Sequence, residues 1–501
     1  MVGLLESQPD DRIILALCVF SIIIFIHLYP WPARRLNHIP AIGPTSQILS
    51  FAGAFQFLFD GKAIIQRGCE QYFSEGIFRV PTLDSWLVVI VNPDLIREAA
   101  KVPEDIFSAS AAAVELFHVD VILGPTVIVD PYHVPLIATD LNRIMRAAFS
   151  AFHSEVRDSF NDLIPAGRNG WLKLGAIKTI MPILSRATNS VFVGPTLCRN
   201  ADFVDLTVHF AVEVFNIGQI LHFTPPFLRQ FVANRFTGLP ALIARSLKHL
   251  QPLIRERRRL LSESTSDKPN DFLTLLIERR EEGDEELARR MLALYLSAMH
   301  AAETTFFHIA YRLAAYPEYA EILREEVDEI VRQEGLTHAA TSKMIKVDSF
   351  IKESMRIDAD ALILRRIVLR PYTLSDGTFL PPGTHLSAPA HSIHTNESNY
   401  SDPFTFEPFR YLDKTRKENI GRKVELTATH VGSLSWGIGL HVCTGRFFAA
   451  TMLKLMLTIL VTTYDVALED AGRQKPRSFG AMSLPNPNAN LLFRRRETKE
   501  H

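Results

Sequence analysis

The sequence predicts a mainly α-helical fold that carries small β-sheets. Apolar residues recur with helical spacing through most of residues 155–329, interrupted by a polar segment at 262–270 that we expect to form a surface loop. Residues 77–80 and 86–91 have the apolar, β-branched composition of two paired strands. Asp376 and Gly377 stand between short apolar runs, as in a tight β-hairpin. Two short sheets beside many helices follow from these patterns.

The composition is that of a large folded protein. The chain has 501 residues, of which 47% are hydrophobic, and a formal net charge of -1. It can bury a sizeable core, and its balanced charge gives no reason to expect a nucleic-acid partner. Length alone suggests about three domains, although there is no repeat and no long low-complexity linker. Four scattered cysteines, Cys18, Cys69, Cys198 and Cys443, do not make a disulfide framework, so we expect a reducing compartment.

The N-terminal residues predict a membrane anchor. Residues 13–33 contain no Asp, Glu, Lys or Arg, and their apolar run predicts a spanning helix over about 13–29. Basic residues are more frequent after this run than before it, which places the downstream chain in the cytosol. A cleaved signal peptide would need a basic leader and a small-residue cleavage site, and neither is apparent. We therefore predict an anchor at 1–33, a proline-rich hinge at 34–45 and a folded region at 46–501.

Cys443 lies in a glycine-punctuated loop with the sequence Ser435-Trp436-Gly437-Ile438-Gly439-Leu440-His441-Val442-Cys443-Thr444-Gly445-Arg446. The three glycines permit tight turns and close approach to a flat cofactor. The apolar run that follows predicts a helix, whose free N–H groups and positive dipole end would face the sulfur. Because a thiolate needs such neighbours, the pattern is typical of a thiolate ligand to haem iron, which favours O–O cleavage. A buried cysteine without a ligand is the alternative.

This loop resembles the haem-binding signature Phe-x-x-Gly-x-Arg-x-Cys-x-Gly of the cytochrome P450 superfamily. Trp436 stands at the Phe position, and His441 at the Arg position that contacts a haem propionate in the family. Fungal members resemble this chain in carrying His there. The resemblance implies the cytochrome P450 fold, as one large haem-thiolate catalytic domain over 46–501. It also implies haem b as the cofactor, with Cys443 as the axial ligand of the iron.

Two motifs upstream of the loop extend the resemblance. Glu353 and Arg356 are three residues apart, so they share one helix face and can pair there. Residues 403–411 are similar to the family's Pro-x-x-Phe-x-Pro-x-Arg-Phe motif, and by this resemblance Arg410 would complete a structural cluster with Glu353 and Arg356. An ordinary surface ion pair is the alternative for the first motif. The three motifs in this order, with Cys443 last, indicate the family more specifically than any one alone.

The resemblance also implies a long helix, from about 284 to 316, across the distal face of the haem. Members carry an acid and a Thr there, which relay protons to iron-bound dioxygen. Residues 297–305 read Ser-Ala-Met-His-Ala-Ala-Glu-Thr-Thr and admit two registers. Matching the acid-Thr pair selects Glu303 and Thr304, whereas counting back from 315–319, as in fungal members, puts His300 and Ala301 at those positions. We favour the second register.

Candidate site residues follow from the same resemblance. Glu303, Thr304 and His300 are the candidate catalytic residues of the distal relay, although Glu303 and Thr304 could instead be packing residues without a catalytic role. His441, Arg366 and His133 occupy positions where the family contacts the haem propionates. Any of these three could also be an ordinary solvated basic residue.

By the resemblance, we expect a haem-thiolate monooxygenase with a single-pass anchor in the endoplasmic reticulum membrane. It would hydroxylate, or oxidise in several steps, a lipophilic secondary metabolite of terpenoid or polyketide origin. Electrons would come from NADPH through a membrane-bound reductase, with cytochrome b5 as a further partner. A redox-neutral isomerase or dehydratase using the same haem, suggested by the Ala301 register, and a haem-binding sensor or scaffold without turnover are the alternatives.

Overall fold

The computed structural model of the protein describes residues 36–46, 49–83, 85–263, 268–419, 421, 424–469 and 477–497. The predicted anchor at 1–33 lies outside these residues, so its helix at 13–29 stays a prediction. The described part of the predicted hinge packs on the fold. Leu36 and Ile39 are buried, and Ala41 forms an isolated β-bridge with Arg79.

Helices form most of the described chain. In order, the α-helices are α1 (Leu49–Gln71), α2 (Pro93–Ala99), α3 (Ala109–Phe117), α4 (Val119–Ile122), α5 (Pro125–Val129), α6 (His133–Leu136), α7 (Asn142–Ala147), α8 (Phe149–Leu163), α9 (Ala176–Phe192), α10 (Pro195–Cys198), α11 (Ala201–His222), α12 (Arg229–Phe236), α13 (Leu239–Ser262), α14 (Phe272–Arg279), α15 (Asp284–Ala315), α16 (Glu318–Glu334), α17 (His338–Lys343), α18 (Ile345–Ile357), α19 (Ala390–His394) and α20 (Arg446–Thr463). Short 3-10 turns occur at Pro226–Leu228, Arg410–Leu412 and Gly439–His441, and a π-helical turn at Ile137–Leu141.

The strands are short and form small sheets. They are β1 (Ile77–Pro81), β2 (Trp86–Ile90), β3 (Phe107–Ser108), β4 (Leu172–Gly175), β5 (Ile363–Val368), β6 (Tyr372–Thr373), β7 (Phe379–Leu380), β8 (His385–Ala388), β9 (Tyr464–Leu468), β10 (Arg477–Phe479), β11 (Met482–Leu484) and β12 (Asn490–Arg495). One sheet has the order β1-β2-β8-β5-β3 and another has the order β4-β12-β9. The remaining strands pair as the hairpins β6-β7 and β10-β11.

The longest described helix, α15, runs through the middle of the core. Its 32 residues include neither Gly nor Pro, and its first turn carries Asp284, Glu285 and Glu286, whose charges favour the positive end of the helix dipole. Pro317 follows its last turn and cannot continue it. The helix packs against α9, α11, α13, α18 and α20. It can therefore present different faces to different parts of the interior.

Helix α20 begins directly after the Cys443 loop and is buried along most of its length. Together with α15 it contributes to the largest cluster of buried apolar residues. Among the described residues, α11 and α20 are the two helices long and apolar enough to cross a membrane, by length and composition alone. In α20, 72% of the apolar window is buried in the fold, as in the core helix of a globular protein.

The predicted fold class, mainly helical with small sheets, is confirmed. The predicted strands at 77–80 and 86–91 pair as β1 and β2, and Asp376 and Gly377 lie between β6 and β7. One departure falls inside the stretch that we predicted as helical, where residues 172–175 form β4. This strand pairs with β12, more than 300 residues away, and no local pattern could reveal that partner.

Candidate active site

Backbone contacts on both sides hold the loop of Cys443. Gly437 and Gly439 have φ values of +70° and +74°, which residues with a Cβ rarely adopt. A Cβ on Gly439 would lie 2.1 Å from the carbonyl oxygen of Ala100, so a larger residue does not fit. The next N–H along the chain donates to this same carbonyl at 3.0 Å, and the N–H of Cys443 donates to the carbonyl of Trp436 at 2.8 Å. These contacts position Cys443 relative to the rest of the fold.

The side chain of Cys443 opens on a cavity of about 230 Å³ between its loop, α20 and α15. Burial raises the pKa of the thiol, while the N–H groups of Gly445 and Arg446 and the charge of Arg446 act to lower it. These N–H groups lie at the start of α20, so the free donors of that helix face the sulfur. Binding to a metal cation would supply the rest of the stabilisation that a thiolate needs.

Small side chains of α15 form the wall opposite Cys443. Ala298, Ala301, Ala302 and Thr305 line the same cavity as the thiol, with the spacing of three and four residues that defines one helix face. Thr305 Oγ1 donates to the carbonyl of Ala301 at 2.8 Å, so its hydroxyl is engaged with its own helix. The wall therefore leaves room for a flat group beside the sulfur.

The three predicted relay residues lie elsewhere on α15. His300 and Thr304 line an adjoining cavity of about 210 Å³, which shares Ala301 and Thr305 with the cavity of Cys443. Thr304 Oγ1 is buried and has no hydrogen-bond partner among the described residues. Glu303 lines a third cavity, on the far side of the helix. None of the three predicted relay residues lines the cavity of Cys443, whereas Ala301 does.

His300 shares its cavity with two carboxylates from the loop after α18. Asp358 is held by Arg312, whose Nε lies 3.0 Å from Asp358 Oδ2. Asp360 accepts a hydrogen bond from the N–H of Ser483 at 2.9 Å, and burial raises its pKa. Burial lowers the pKa of His300, against the opposing effect of Asp360. The imidazole is therefore mostly neutral near pH 7, a state in which it can both accept and donate a proton.

Arg366 is the candidate propionate contact with the clearest unmet need for an anion. It is buried, its Nη1 donates to the carbonyl of Arg365 at 2.7 Å, and its Nη2 has no partner among the described residues. Burial lowers its pKa because the site disfavours an isolated charge. His441 lies close by, with its Nε2 3.0 Å from Glu104 Oε2. Burial, and then the charge of Arg366, lower the pKa of His441.

His133 faces a different set of partners from Arg366 and His441. Its Nδ1 lies 3.3 Å from Nη1 of Arg290, which pairs with Glu282 at 2.9 Å. Burial, reinforced by the charge of Arg290, lowers the pKa of His133 to about 4, so the ring is neutral near pH 7. Like Arg366 and His441, His133 is not among the residues that line the cavity of Cys443. The structure therefore brings Arg366 and His441 together and sets His133 apart from them.

The Glu353, Arg356 and Arg410 cluster is fully buried. Glu353 Oε1 lies 2.7 Å from Arg356 Nη2 and 3.2 Å from Arg410 Nε, and all three side chains are at most 2% exposed. Arg410 also pairs with Glu418 at 2.9 Å. Burying these charges is tolerable because each is paired, and because both arginines also donate to backbone carbonyls while Glu353 accepts the N–H of Glu407. Glu353 and Glu418 thus balance the charges of Arg356 and Arg410, and Glu407 and Arg416 extend the network toward the surface.

This network connects to the Cys443 loop through one histidine. Arg356 Nη1 donates to the backbone carbonyl of His394 at 2.7 Å, and the N–H of Leu434 donates to Nε2 of the same histidine at 2.8 Å. Burial, together with the nearby charge of Arg356, lowers the pKa of His394 to about 3, so its ring stays a neutral acceptor. The route from Glu353 to the loop therefore has only two intermediate residues.

Sequence reasoning missed several acidic partners, namely Glu104, Glu418, Asp358 and Asp360. Each lies in or beside a loop, where hydrophobic periodicity gives no information about side-chain direction. Glu104 and Asp358 also pair with residues that are distant in sequence, His441 and Arg312 respectively. The available signal was the presence of basic residues such as His441 and Arg410, which need acidic partners when they are buried.

The residues present fit a haem. A cysteine opens on a cavity walled by alanines, and glycine lets the loop pass close to its neighbours. Arg366, which lines another cavity of the fold, has a buried guanidinium nitrogen without a hydrogen-bond partner among the described residues. Haem needs a metal ligand, a flat space and cations for its two propionates. The donor set and the orphaned nitrogen meet each of these needs.

Comparison with known proteins identifies the family. A sequence profile named Cytochrome P450 matches residues 185–493. Cytochrome P450 monooxygenase 151 of Postia placenta is 36% identical over 480 residues, covering 94% of this chain and 96% of its own length. Cytochrome P450 monooxygenase olcJ of Penicillium canescens is 31% identical, covering 87% of this chain and 84% of its own. Ent-kaurene oxidase P450-4 of Gibberella fujikuroi is 27% identical, covering 95% of this chain and 98% of its own length.

The chain belongs to the cytochrome P450 family. It has the cytochrome P450 fold, and its enzyme class is that of the P450 monooxygenases. Haem is its cofactor, and reducing equivalents come from NAD(P)H through a reductase, as the family implies. The resemblance stated from the sequence alone is confirmed, including its fungal character.

Removal of one arginine tests the buried network. We expect Arg410→Met to lower the free energy of unfolding by about 3–5 kcal/mol, because Glu353 and Glu418 would remain buried without this partner. Denaturant unfolding followed by circular dichroism measures the effect. The matched control is Arg157→Met, which removes an exposed pair with Asp158 and should cost less than about 1 kcal/mol. Equal losses in the two variants would contradict the role of the network.

Proposed function

We propose that this cytochrome P450 oxidises a lipophilic secondary metabolite at a haem held by Cys443. The observation that carries the proposal is the cavity in which the thiol of Cys443 faces the alanine wall of α15. Haem bound there supplies dioxygen activation, to which a thiolate ligand contributes electron density that favours O–O cleavage. Arg366, and His441 as a neutral donor, would hold the propionates, since both are buried or half-buried basic groups beside each other.

The substrate in this proposal is a mainly apolar molecule, with a terpenoid or polyketide origin. A cavity of about 320 Å³ lies between α1, α11 and the β10-β11 hairpin and reaches Arg366. Phe57, Phe215, Phe223 and Phe479 contribute aromatic rings to its walls. Such a cavity favours hydrocarbon surface over charge. One similar protein is named an ent-kaurene oxidase, which supports placing a terpenoid first.

We infer that the substrate reaches this cavity from a lipid bilayer. Two exposed apolar patches border it, one on α1 with Phe55 and Phe59, and one at residues 223–236 with Phe227 and Phe231. The exposed fraction of Phe227 is 84%, which is unfavourable in water and typical of a surface that contacts something apolar. The proposal includes the predicted single-pass anchor in the endoplasmic reticulum, a membrane-bound NADPH-dependent reductase and cytochrome b5.

For the distal side we propose that His300 and Thr304 deliver protons. Ala301 offers no hydroxyl to the cavity of Cys443, and the Thr305 hydroxyl donates to its own helix. The His300 side chain is half-exposed and lines the adjoining cavity. Thr304 lines the same cavity, and its buried hydroxyl has no hydrogen-bond partner among the described residues. A neutral imidazole can take a proton from water on one nitrogen and release one from the other. Thr304 would hold the water that receives it.

The ligand assignment is tested by replacing the sulfur. We expect haem-loaded Cys443→Ser to lose the long-wavelength Soret band of the reduced carbon monoxide complex, along with NADPH-dependent product formation. Cys198→Ser is the matched control, because Cys198 is buried away from this cavity and should keep both properties. A normal spectrum and normal turnover in Cys443→Ser would contradict the assignment. Product formed without oxygen or reductant in the unaltered protein would instead support an isomerase.

The relay is tested by comparing two alanine variants. We expect His300→Ala to lower the rate of product formation roughly tenfold or more, as for loss of a general acid, and to raise the share of NADPH electrons released as peroxide. Thr304→Ala should have the same sign and a smaller effect, because water can replace its hydroxyl. The ratio of product to NADPH consumed is the measurement. Unchanged coupling in both variants would rule out this route.

The membrane contact is tested with fluorescent labels on the haem-loaded protein in nanodiscs. We expect a nitrobenzoxadiazole label on Phe227→Cys to be quenched by quenchers carried in the lipid. The matched control is Phe404→Cys, which is also exposed, at 68%, but lies outside both patches and should respond only to aqueous quenchers. Equal lipid quenching at the two positions, or none at Phe227→Cys, would contradict the proposed orientation.

A further inference from the structure

A groove on the far side of α15 has no part in the proposed oxidation. It measures about 660 Å³ and runs between α9 and α11, with α15 as its floor. Ile177, Met181 and Pro182 of α9 face Val204, Val208 and Val212 of α11 across it. Its size is within the range of small-molecule sites, and its walls are apolar in the same way.

Glu303 forms the floor of this groove. Only 8% of the residue is exposed, and its carboxyl makes no hydrogen bond with any described residue. Nδ1 of His300 lies 4.0 Å from Glu303 Oε2, beyond hydrogen-bond distance. Two residues of helix rotate a side chain by about 200°, so Glu303 points away from the cavity that Ala301 lines. Burial raises the pKa of Glu303 to about 7.

Arg186 and Arg199 at the groove are paired with carboxylates other than Glu303, and Nη2 of Arg186 is buried without a hydrogen-bond partner among the described residues. Arg186 lies 2.8 Å from Glu155 and 2.8 Å from Asp162, and Arg199 lies 2.6 Å from Glu155 and 2.7 Å from Asp158. Lys178 is exposed at the edge, and Asp205 is paired with Arg245 at 2.7 Å and with His209 at 2.9 Å. A buried carboxylate without a cation is costly. The floor of the groove therefore has an unmet demand for positive charge.

We propose that this groove is a second ligand site, which binds a lipophilic ammonium cation. The charged end would pair with the Glu303 carboxylate, and the hydrocarbon would lie between the apolar side chains of α9 and α11. The cation would gain a partner of opposite charge in a poorly hydrated place, and the apolar chain would gain burial. A neutral alcohol would satisfy the carboxyl less well. The proposal does not depend on haem binding at Cys443.

Octyltrimethylammonium is a suitable probe because its nitrogen has no lone pair and cannot bind a metal in the cavity of Cys443. Isothermal titration calorimetry of the full chain in phosphatidylcholine nanodiscs, with empty nanodiscs as the blank, measures its affinity. We expect one site, and an affinity at least tenfold lower in Glu303→Gln. Asp205→Asn is the matched control, because it removes a carboxylate from the edge of the same groove and should change affinity less than twofold.

The pH dependence provides a second test of Glu303. Between pH 6 and pH 8 the affinity should rise by about tenfold, as the ionised fraction of a carboxyl with pKa about 7 goes from about one in eleven to about ten in eleven. The other charged groups facing the groove are Lys178, Arg186, Arg199, Asp205 and His209, with His300 beside the floor. Because they remain in Glu303→Gln, the rise should disappear in that variant if Glu303 causes it.

Two further measurements keep the test decisive. Val208→Trp should fill the groove and abolish binding with Glu303 intact, which covers the case of an unstable Glu303 variant. Octan-1-ol should bind more weakly than the cation, and it should bind equally to the unaltered protein and to Glu303→Gln. Equal affinity for the cation in Glu303→Gln, or tighter binding of the alcohol, would overturn the proposal. Binding that shifts the haem spectrum in proportion to saturation and survives Val208→Trp would assign the cation to the Cys443 cavity and also overturn it.

Discussion

The pairing of Glu353 with two buried arginines is the interaction on which the haem side of this fold depends. Glu353 receives Arg356 and Arg410, and Glu418 balances the second positive charge. The same two arginines donate to backbone carbonyls of the chain that leads toward the Cys443 loop. Because charges buried at this depth are stable only when every partner is present, the network accepts one arrangement of these segments and rejects others.

His394 links that network to the Cys443 loop. Its carbonyl binds Arg356, and its neutral ring accepts the N–H of Leu434, the last residue before the loop begins. Glycines with positive φ then turn the chain so that Cys443 meets the start of α20. The start of the loop that carries the sulfur is thus held by a buried ionic network that does not contact Cys443 itself. Substitution in the network is expected to act on cofactor binding without touching the cofactor.

Side chains of helix α15 line three different cavities, depending on the direction in which each side chain points. Consecutive residues point about 100° apart, so Ala301, Thr304 and Glu303 meet three different cavities within one turn. Ala301 leaves space beside Cys443, Thr304 and His300 line the adjoining cavity, and the Glu303 carboxyl lies on the opposite side. A single segment therefore lines three separate cavities.

The sequence by itself determined the family, the class of fold and the identity of the cysteine loop, because these rest on residues close together in the chain. The three glycines beside Cys443 can be interpreted from the local sequence alone, and so can the spacing of Glu353 and Arg356. Only the tertiary structure decided which face of α15 meets Cys443, since both registers were consistent with the same nine residues. It likewise separated His133 from Arg366 and revealed Glu418 and Glu104 as partners. The physical reason is that charge pairing and cavity lining depend on distances between segments, and loop sequences carry no periodicity from which those distances follow.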